Sequence, residues 1–330
     1  MNDILIGLAG VLAAAAPVLF AVIGETITER AGIINLSLNG TILLSAMAGF
    51  SVSYVTGNLF LGFVAGMLIG ALIAFIVAFG SITLHQSQVA VGFVLALAGR
   101  DLAYFLGVPY MNTPGPTLPS WPVPFLKDIP ILGPLFFRLD IVTYLSYIII
   151  VLAWLWIFRT RPGLMLQGIG ERPAAAFVRG ANVNWLRYVY TVVGGALVGL
   201  AGPAFTLNVK PGWMGTQTGL DGIGWIALAI VIFGGWNPLR AAFGAYLFSL
   251  LEWLGLILQP VLSGIPTQVL QVAPFPLMIL TLLLVNISDA EWVQRWLASM
   301  PEATRRVVAR ILRALRATPP AALGVPFESE

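Results

Sequence analysis

The stretch Leu59-Phe-Leu-Gly-Phe-Val-Ala-Gly-Met-Leu-Ile-Gly-Ala-Leu-Ile-Ala-Phe-Ile-Val-Ala-Phe-Gly-Ser-Ile82 decides the fold class. It carries no charged residue, and it exceeds the roughly 20 residues that a helix needs to cross a bilayer. It lacks the alternation of apolar and polar residues that a transmembrane β-strand requires. Gly62, Gly66 and Gly70 recur at every fourth position, a spacing that lets two helices approach closely in lipid. We therefore predict a membrane-spanning helix with a closely packed glycine face.

The composition extends this prediction to the whole chain. Hydrophobic residues make up 58% of it and charged residues 9%, whereas soluble domains carry about 25% charged residues. Cysteine is absent, which excludes disulfides and thiol chemistry. The sequence pI of about 9.4 reflects arginines next to apolar runs, and it does not indicate a nucleic-acid-binding surface. The predicted fold class is an all-α polytopic membrane protein.

The apolar runs predict about nine transmembrane helices, within a range of eight to ten. They are Ile4–Ile23, Gly40–Val55, Leu59–Ile82, Val89–Val108, Ile141–Phe158, Tyr188–Leu207, Ile223–Phe233, Ala241–Leu258 and Val272–Ile287. Residues 1–287 form the predicted transmembrane domain, and residues 288–330 form a basic tail. Within the tail, Glu302–Arg316 has the pattern of an amphipathic helix. The alternative for the tail is a poorly ordered chain past Pro319.

The arginines predict how the chain is oriented. They are densest in the loop 159–187 and in the tail, and basic loops remain on the cytoplasmic side. Counting spans back from there places the N-terminus outside and the C-terminus in the cytoplasm. The proline-rich loop 109–138 then lies outside, where its prolines forbid a long helix.

The loop 159–187 contains the predicted helix Pro173–Arg179. Proline is well suited to a first helical position, and Gly180 supplies the backbone freedom needed just past the end. Glu171 and Arg179 lie where their charges complement the helix dipole. A helix bounded in this way, with basic residues on both sides, indicates a docking site for another protein. The alternative is a solvated loop with a frayed turn.

Two glycine-rich stretches interrupt the apolar pattern, Gly32–Gly40 and Gly212–Gly224. The first precedes a span that runs outward, and the second precedes the short run Ile223–Phe233, which runs inward. This arrangement is typical of an inverted repeat, whose broken helices meet at a substrate site near the middle of the bilayer. The alternative is that both stretches are ordinary loops at the membrane surface.

Three charged residues fall inside predicted spans: Arg100, Asp101 and Glu252. A charge at the centre of the bilayer costs about 2.5–3.5 kcal/mol and needs a partner or water. Arg100 and Glu252 lie at matching depths, so we expect them to form a structural pair or to line an outer vestibule. A proton relay is the functional alternative, and it would require more titratable groups than these.

Motifs of covalent chemistry are missing. The sequence has no Gly-x-x-x-x-Gly-Lys-Ser/Thr loop for ATP, no Gly-x-Ser-x-Gly elbow and no His-Glu-x-x-His pair. His85 is the single histidine, so no metal site is predicted. We therefore expect a protein that is not an enzyme.

Three blocks in this order resemble one family. Glu29-Arg-Ala-Gly-Ile-Ile-Asn-Leu-Ser-Leu-Asn-Gly40, Gly170-Glu-Arg-Pro-Ala-Ala-Ala-Phe-Val-Arg-Gly-Ala-Asn-Val-Asn184 and Trp225-Ile-Ala-Leu-Ala-Ile-Val-Ile-Phe-Gly-Gly-Trp-Asn-Pro-Leu239 are similar to signatures of ABC importer permeases. They are closest to the nucleoside and simple-sugar branch of the branched-chain amino acid and ribose permease superfamily. The resemblance runs from about Pro17 to about Asn286. Family members often carry an acid where this chain has Asn39, which puts the identity of the ligand in question.

The resemblance implies a permease subunit in a bacterial or archaeal cytoplasmic membrane. It implies a second, different permease chain, two cytoplasmic ATPase domains that hold ATP and Mg, and an extracytoplasmic binding lipoprotein or periplasmic protein. No cofactor is expected on this chain. Nucleosides are the expected substrate. The alternatives are simple sugars, riboflavin or branched-chain amino acids, and, from another class, a stand-alone secondary transporter.

The same resemblance suggests roles for two groups of residues. The ATPase-coupling group, with Phe177 as its anchor, would be Glu171, Pro173, Ala174, Ala175, Phe177, Val178 and Gly180. The substrate pathway, with amides for hydroxyl groups and aromatic rings for stacking, would be Asn35, Ser37, Asn39, Trp213, Gln217, Trp225 and Phe233. Each aromatic residue has the alternative of packing in the core or facing lipid.

Overall fold

The architecture was obtained from a computed structural model, which describes residues 2–260, 291–299 and 318–328 and the isolated residues 276, 301, 302, 305 and 308. The predicted span Val272–Ile287 and the predicted amphipathic helix Glu302–Arg316 lie outside these ranges, apart from isolated residues. In the described part the chain is helical, with short turns between most helices and two long connections, residues 107–131 and 205–222. The prediction of an all-α polytopic protein is confirmed.

Twelve helices are described. They are α1 (Asn2–Arg30), α2 (Leu38–Thr56), α3 (Leu59–Ala78), α4 (Gln88–Leu106), α5 (Leu132–Phe136), α6 (Ile141–Arg159), α7 (Arg161–Glu171), α8 (Pro173–Val178), α9 (Val183–Ala204), α10 (Ile223–Phe233), α11 (Pro238–Leu258) and α12 (Glu291–Ala298). Single π-helical turns extend α3 to Thr83 and α9 to Val209. Within the described ranges, seven helices are long and apolar enough to cross a membrane: α1, α2, α3, α4, α6, α9 and α11. The eleven-residue α10 spans only about 16 Å, against a hydrocarbon core of about 30 Å.

α1 runs well past its predicted end at Ile23 and stops only at Arg30. The sequence becomes polar there, which suggested a boundary. In the structure the hydroxyl groups of Thr26 and Thr28 donate to carbonyls one turn earlier in the same helix. Such polar residues satisfy themselves within the helix, so they do not end it.

The glycine faces of α3 and α9 pack directly against each other. A Cβ atom added to Gly70 would lie 2.1 Å from the carbonyl oxygen of Gly195, and one added to Gly199 would lie 2.2 Å from that of Gly66. No side chain fits at such distances, so the two backbones are in contact. The small-residue stripes therefore position α3 directly against α9.

Two hydrogen bonds connect the end of α1 to the turn between α10 and α11. Nε1 of Trp236 donates to the carboxylate of Glu29, and Nε of Arg30 donates to the carbonyl oxygen of Trp236. Trp236 has a φ of 54°, which is uncommon for a residue other than glycine. The side chain and the carbonyl group of Trp236 are thus both hydrogen-bonded to α1.

We call the side of the molecule that carries α7 and α8 the arginine-rich face. The other end, formed by residues 107–140 and 210–222, is called the opposite face. The N–H of Asn112 donates to the carbonyl of Trp213 and so joins its two parts, and the N–H of Leu118 donates to the carbonyl of Leu207 in the last turn of α9. The proline-rich segment thus packs as a cap across the end of α9.

The last described part of the chain, residues 318–328, is called the C-terminal segment. It lies on the arginine-rich face as an extended strap. The N–H of Ala322 donates to the carbonyl of Gly170, and the N–H of Gly324 donates to that of Gly32, at 2.9 and 3.0 Å. The sequence left open whether the chain past Pro319 is ordered, and these contacts show that it packs on the helices.

Candidate substrate pathway and coupling surface

The two interrupted segments meet at one side chain, Asn39, near the start of α2. Its Nδ2 donates to Oδ1 of Asp221 at 2.8 Å, and its Oδ1 accepts from the N–H of Gly222, also at 2.8 Å. Gly222 has a φ of 99° and precedes the first residue of α10. Asn39 therefore joins the start of α2 to the start of α10.

This junction lies beside the middle of α4. Gly40 packs against the backbone of Leu95 and Ala96, and Gly99 packs against Gly40 in turn. The contacts place the beginning of α2 about halfway along a helix that is long enough to span the membrane. The first interrupted segment therefore enters the bundle, as the broken-helix interpretation predicts, and does not lie at the surface.

Asp221 is the centre of a small polar cluster. Nε of Arg100 donates to Oδ2 of Asp221 at 2.9 Å, and the hydroxyl group of Tyr104 donates to the same oxygen at 3.2 Å. With Asn39 on the other oxygen, both carboxylate oxygens are satisfied. The Arg100 and Asp221 side chains are nevertheless 40% and 38% exposed. The cluster is thus open on one side.

This ion pair corrects the expectation for Arg100. The predicted pairing of Arg100 with Glu252 was wrong, because Arg100 pairs with Asp221 and Glu252 is exposed on α11. Asp101 is also exposed, one position away on α4. The signal for the true partner was Asp221 itself, an acid beside Gly222 at the start of a short apolar helix.

Two aromatic residues extend the open side of the cluster. Phe93 lies two turns before Arg100 on the same face of α4, and its ring is 6.1 Å from that of Trp225 in α10. Both rings are exposed. We call the surface formed by Phe93, Arg100, Tyr104, Asp221 and Trp225 the α4–α10 face.

The other predicted pathway residues are distributed differently. Asn35 and Ser37 are buried and bonded to each other, with Ser37 Oγ 2.6 Å from Asn35 Oδ1, so neither reaches the α4–α10 face. Trp213 is fully buried against Gly107 and the ring of Tyr104. Gln217 is exposed in the loop before α10, and Phe233 packs on α11 at the far end of α10. The structure thus brings Asn39 and Trp225 to the cluster.

The arginine-rich face presents α8 as the sequence predicted. Arg172 precedes Pro173, and Gly180, with a φ of 87°, returns its N–H to the carbonyl of Phe177 at 2.8 Å. Ala176 is buried against the bundle. Of the predicted coupling group, Pro173 is half-buried and the other six members are exposed, Phe177 at 44% and Val178 at 86%.

α7 was not predicted, because the sequence before α8 reads as a polar loop. Thr160 caps this helix by accepting from the N–H of Gly163, and Leu166 and Ile169 are buried beneath it. An open groove of about 470 Å³ runs between α7 and α8. Its lining residues are Arg161, Leu164, Met165, Gly168, Arg172, Ala175, Ala176 and Arg179.

The matched family model defines the class. The model described as "Branched-chain amino acid transport system / permease component" matches residues 7–285, so the chain belongs to this family of ABC transporter permeases. A putative glucose ABC transporter permease protein of Haloferax volcanii, TsgC13, is 37% identical over 74% of each chain. The nucleoside ABC transporter permease protein NupC of Lactococcus lactis is 32% identical over 86% of this chain and 93% of its own. The guanosine ABC transporter permease protein NupQ of Bacillus subtilis is 31% identical over 81% of this chain and 88% of its own. No solved structure matches.

Proposed function

We propose that this permease carries nucleosides across the cytoplasmic membrane, and that the solute passes along the α4–α10 face. The observation that supports this path is the half-exposed ion pair of Arg100 and Asp221. Arg100 is the thirteenth of the nineteen residues of α4, so the pair lies between the middle of this membrane-spanning helix and the opposite face. Charged groups within a span rarely face lipid, because each costs up to about 2.5–3.5 kcal/mol at the centre. They face water or another protein, and a transport pathway supplies both.

The chemistry of the face fits a nucleoside. Oδ1 of Asp221 accepts one hydrogen bond, from Asn39, and keeps a second lone pair for a ribose hydroxyl group. Arg100 offers donors, since its bond to Asp221 uses Nε and leaves the terminal guanidinium nitrogens for a ligand. Phe93 and Trp225 offer flat rings on which a base stacks. NupC and NupQ, which are named for nucleosides and guanosine, favour the same substrate. Simple sugars remain the second candidate, which TsgC13 favours, since sugars present hydroxyl groups and an apolar ring face to the same residues.

The proposal includes an orientation, which the positive-inside rule supports, and a set of partners. The arginine-rich face lies in the cytoplasm and the N-terminus lies outside. There α8 docks on an ATPase subunit that holds ATP and Mg, and the opposite face meets a substrate-binding protein. A second, different permease chain completes the membrane part. The existence of another nucleoside ABC transporter permease protein in Lactococcus lactis, NupB, similar to this chain over 114 residues, supports such a pair.

The experiment is uptake of labelled guanosine by liposomes that contain the assembled complex. Asp221→Asn removes the charge and keeps the shape, and it should lower uptake about tenfold, the effect of one lost charged hydrogen bond. Asp101→Asn is the matched control, because it neutralises the neighbouring exposed acid on α4. Equal uptake by Asp221→Asn and wild type would refute the pathway. Uptake that continues without the ATPase subunit would favour a secondary transporter.

A further inference from the structure

Hydrogen bonds join the C-terminal segment to three separate parts of the arginine-rich face. Its backbone bonds to Gly170 at the end of α7 and to Gly32 after α1. Nη1 of Arg187, which is buried in α9, donates to the carbonyl of Val325 at 2.9 Å. The N–H of Ala321 also donates to the carboxylate of Glu171. These contacts fix the position of the segment beside α8.

The segment ends against the proposed anchor of the coupling helix. The rings of Phe327 and Phe177 have centroids 5.6 Å apart and an interplanar angle of 56°. Phe177 keeps 44% of its surface exposed, and Val325 on the segment is 51% exposed. Phe177 and Val178 on α8 and Val325 and Phe327 on the segment are apolar residues from two distant parts of the sequence, joined by the contact of the two rings, and we call them the composite patch.

The surroundings of the composite patch indicate what covers it. Arg172 and Arg179 line the groove on the other side of α8. Glu328 and His85 lie 4.0 Å apart beyond Phe327. An exposed apolar patch with a charged rim is the signature of a protein–protein interface. The basic side of this rim fits a partner with acidic residues next to an apolar groove.

We infer that the C-terminal segment forms part of the surface that docks on the ATPase subunit, with Val325 and Phe327 contacting the same subunit that receives α8. The inference rests on the proposed coupling role of α8. It differs from that proposal because it assigns a docking role to residues more than one hundred positions away in sequence, on a strap that the coupling motif does not include. Phe327 contributes in two ways, since it both contacts the partner and supports the ring of Phe177.

The test is photo-crosslinking of the assembled complex in membranes, with a photoreactive amino acid in place of Val325. The same amino acid at Val178 reports on the coupling helix, and at Phe125, which is 91% exposed on the opposite face, it serves as the negative control. We expect adducts with the ATPase subunit from positions 325 and 178 and none from position 125. An adduct from position 178 without one from position 325 overturns the inference and leaves the proposed function standing. Adducts of position 325 with lipid alone also overturn the inference. Failure at both positions in a complex that copurifies overturns the coupling proposal as well.

A second measurement uses the affinity of the ATPase subunit for the solubilised permease. Phe327→Ala should weaken binding about tenfold, as truncation of an interface anchor does, while Phe327→Leu should retain most of it. Unchanged binding by Phe327→Ala, with an unchanged melting temperature, contradicts the inference. Phe125→Ala is the control for loss of an exposed ring.

Discussion

At the scale of single residues, Asn39 is the side chain at which the two interrupted segments meet. The side chain makes two hydrogen bonds, since its amide nitrogen donates to Asp221 and its amide oxygen accepts from the N–H of Gly222. An aspartate at this position could accept the hydrogen bond from Gly222, but it could not donate one to Asp221. Because Asp221 is an acceptor, an amide suits position 39 better than an acid.

We expect Asn39→Asp to destabilise the protein by about 1–3 kcal/mol, because it replaces a hydrogen bond with two facing carboxylates. The midpoint of thermal unfolding in detergent measures the loss. The double variant Asn39→Asp with Asp221→Asn restores one acid and one amide across the same contact. It should regain much of the lost stability. If the double variant is less stable than Asn39→Asp alone, the hydrogen-bond account of this junction is wrong.

At the scale of elements, the contact between α3 and α9 depends on residues that have no side chain. A Cβ atom at Gly70 meets a backbone carbonyl oxygen at 2.1 Å, and backbone atoms cannot rotate away. Gly70→Ala should therefore cost about 1–3 kcal/mol, the typical effect of overpacking. Gly10 in α1 is the matched control, since a Cβ there would meet nothing within 4 Å. Thermal unfolding of both variants should show a loss for Gly70→Ala alone, and equal midpoints would argue against close α3–α9 packing.

The coupling helix α8 supports a functional prediction at the same scale. Phe177→Ala should lower both transport and transport-coupled ATP hydrolysis, because the ring is the largest exposed apolar group on the helix. The amount of permease in the membrane should stay normal. Val151→Ala, which truncates an exposed apolar side chain in the middle of α6, is the control. Normal coupled hydrolysis in an assembled Phe177→Ala complex would remove Phe177 as the anchor.

At the scale of the whole molecule, orientation is the property with the widest consequences. The chain contains no cysteine, so single cysteines are clean probes. A cysteine at Phe125 should react with an impermeant maleimide from outside intact cells. One at Val178 should react only after the cells are opened. Both positions are highly exposed, so burial does not confuse the comparison. The reverse labelling pattern would invert the proposed topology.

The apolar runs predicted the long helices because lipid imposes one rule on every span. Sequence reasoning did not predict contacts between residues that are far apart in the chain. Asp221 reaches Arg100 over 121 positions, and periodicity carries no information about such a pair. The C-terminal segment is ordered by bonds to Gly32 and Gly170, which its own composition does not reveal. The last turns of α1 were missed because their polar residues are buried by neighbouring helices.

One feature of α10 limits how the permease changes state. The helix is held at its start by Asn39 and at its far end by the bonds from α1 to Trp236. A short helix that is bonded at both ends cannot slide along its axis without breaking some of these hydrogen bonds. Rotation about that axis would separate Gly224 from the backbone of Asn39, which a Cβ atom at Gly224 would meet at 2.2 Å. We therefore expect α10 to move as one rigid body with the start of α2 and the end of α1 when access changes from one side of the membrane to the other.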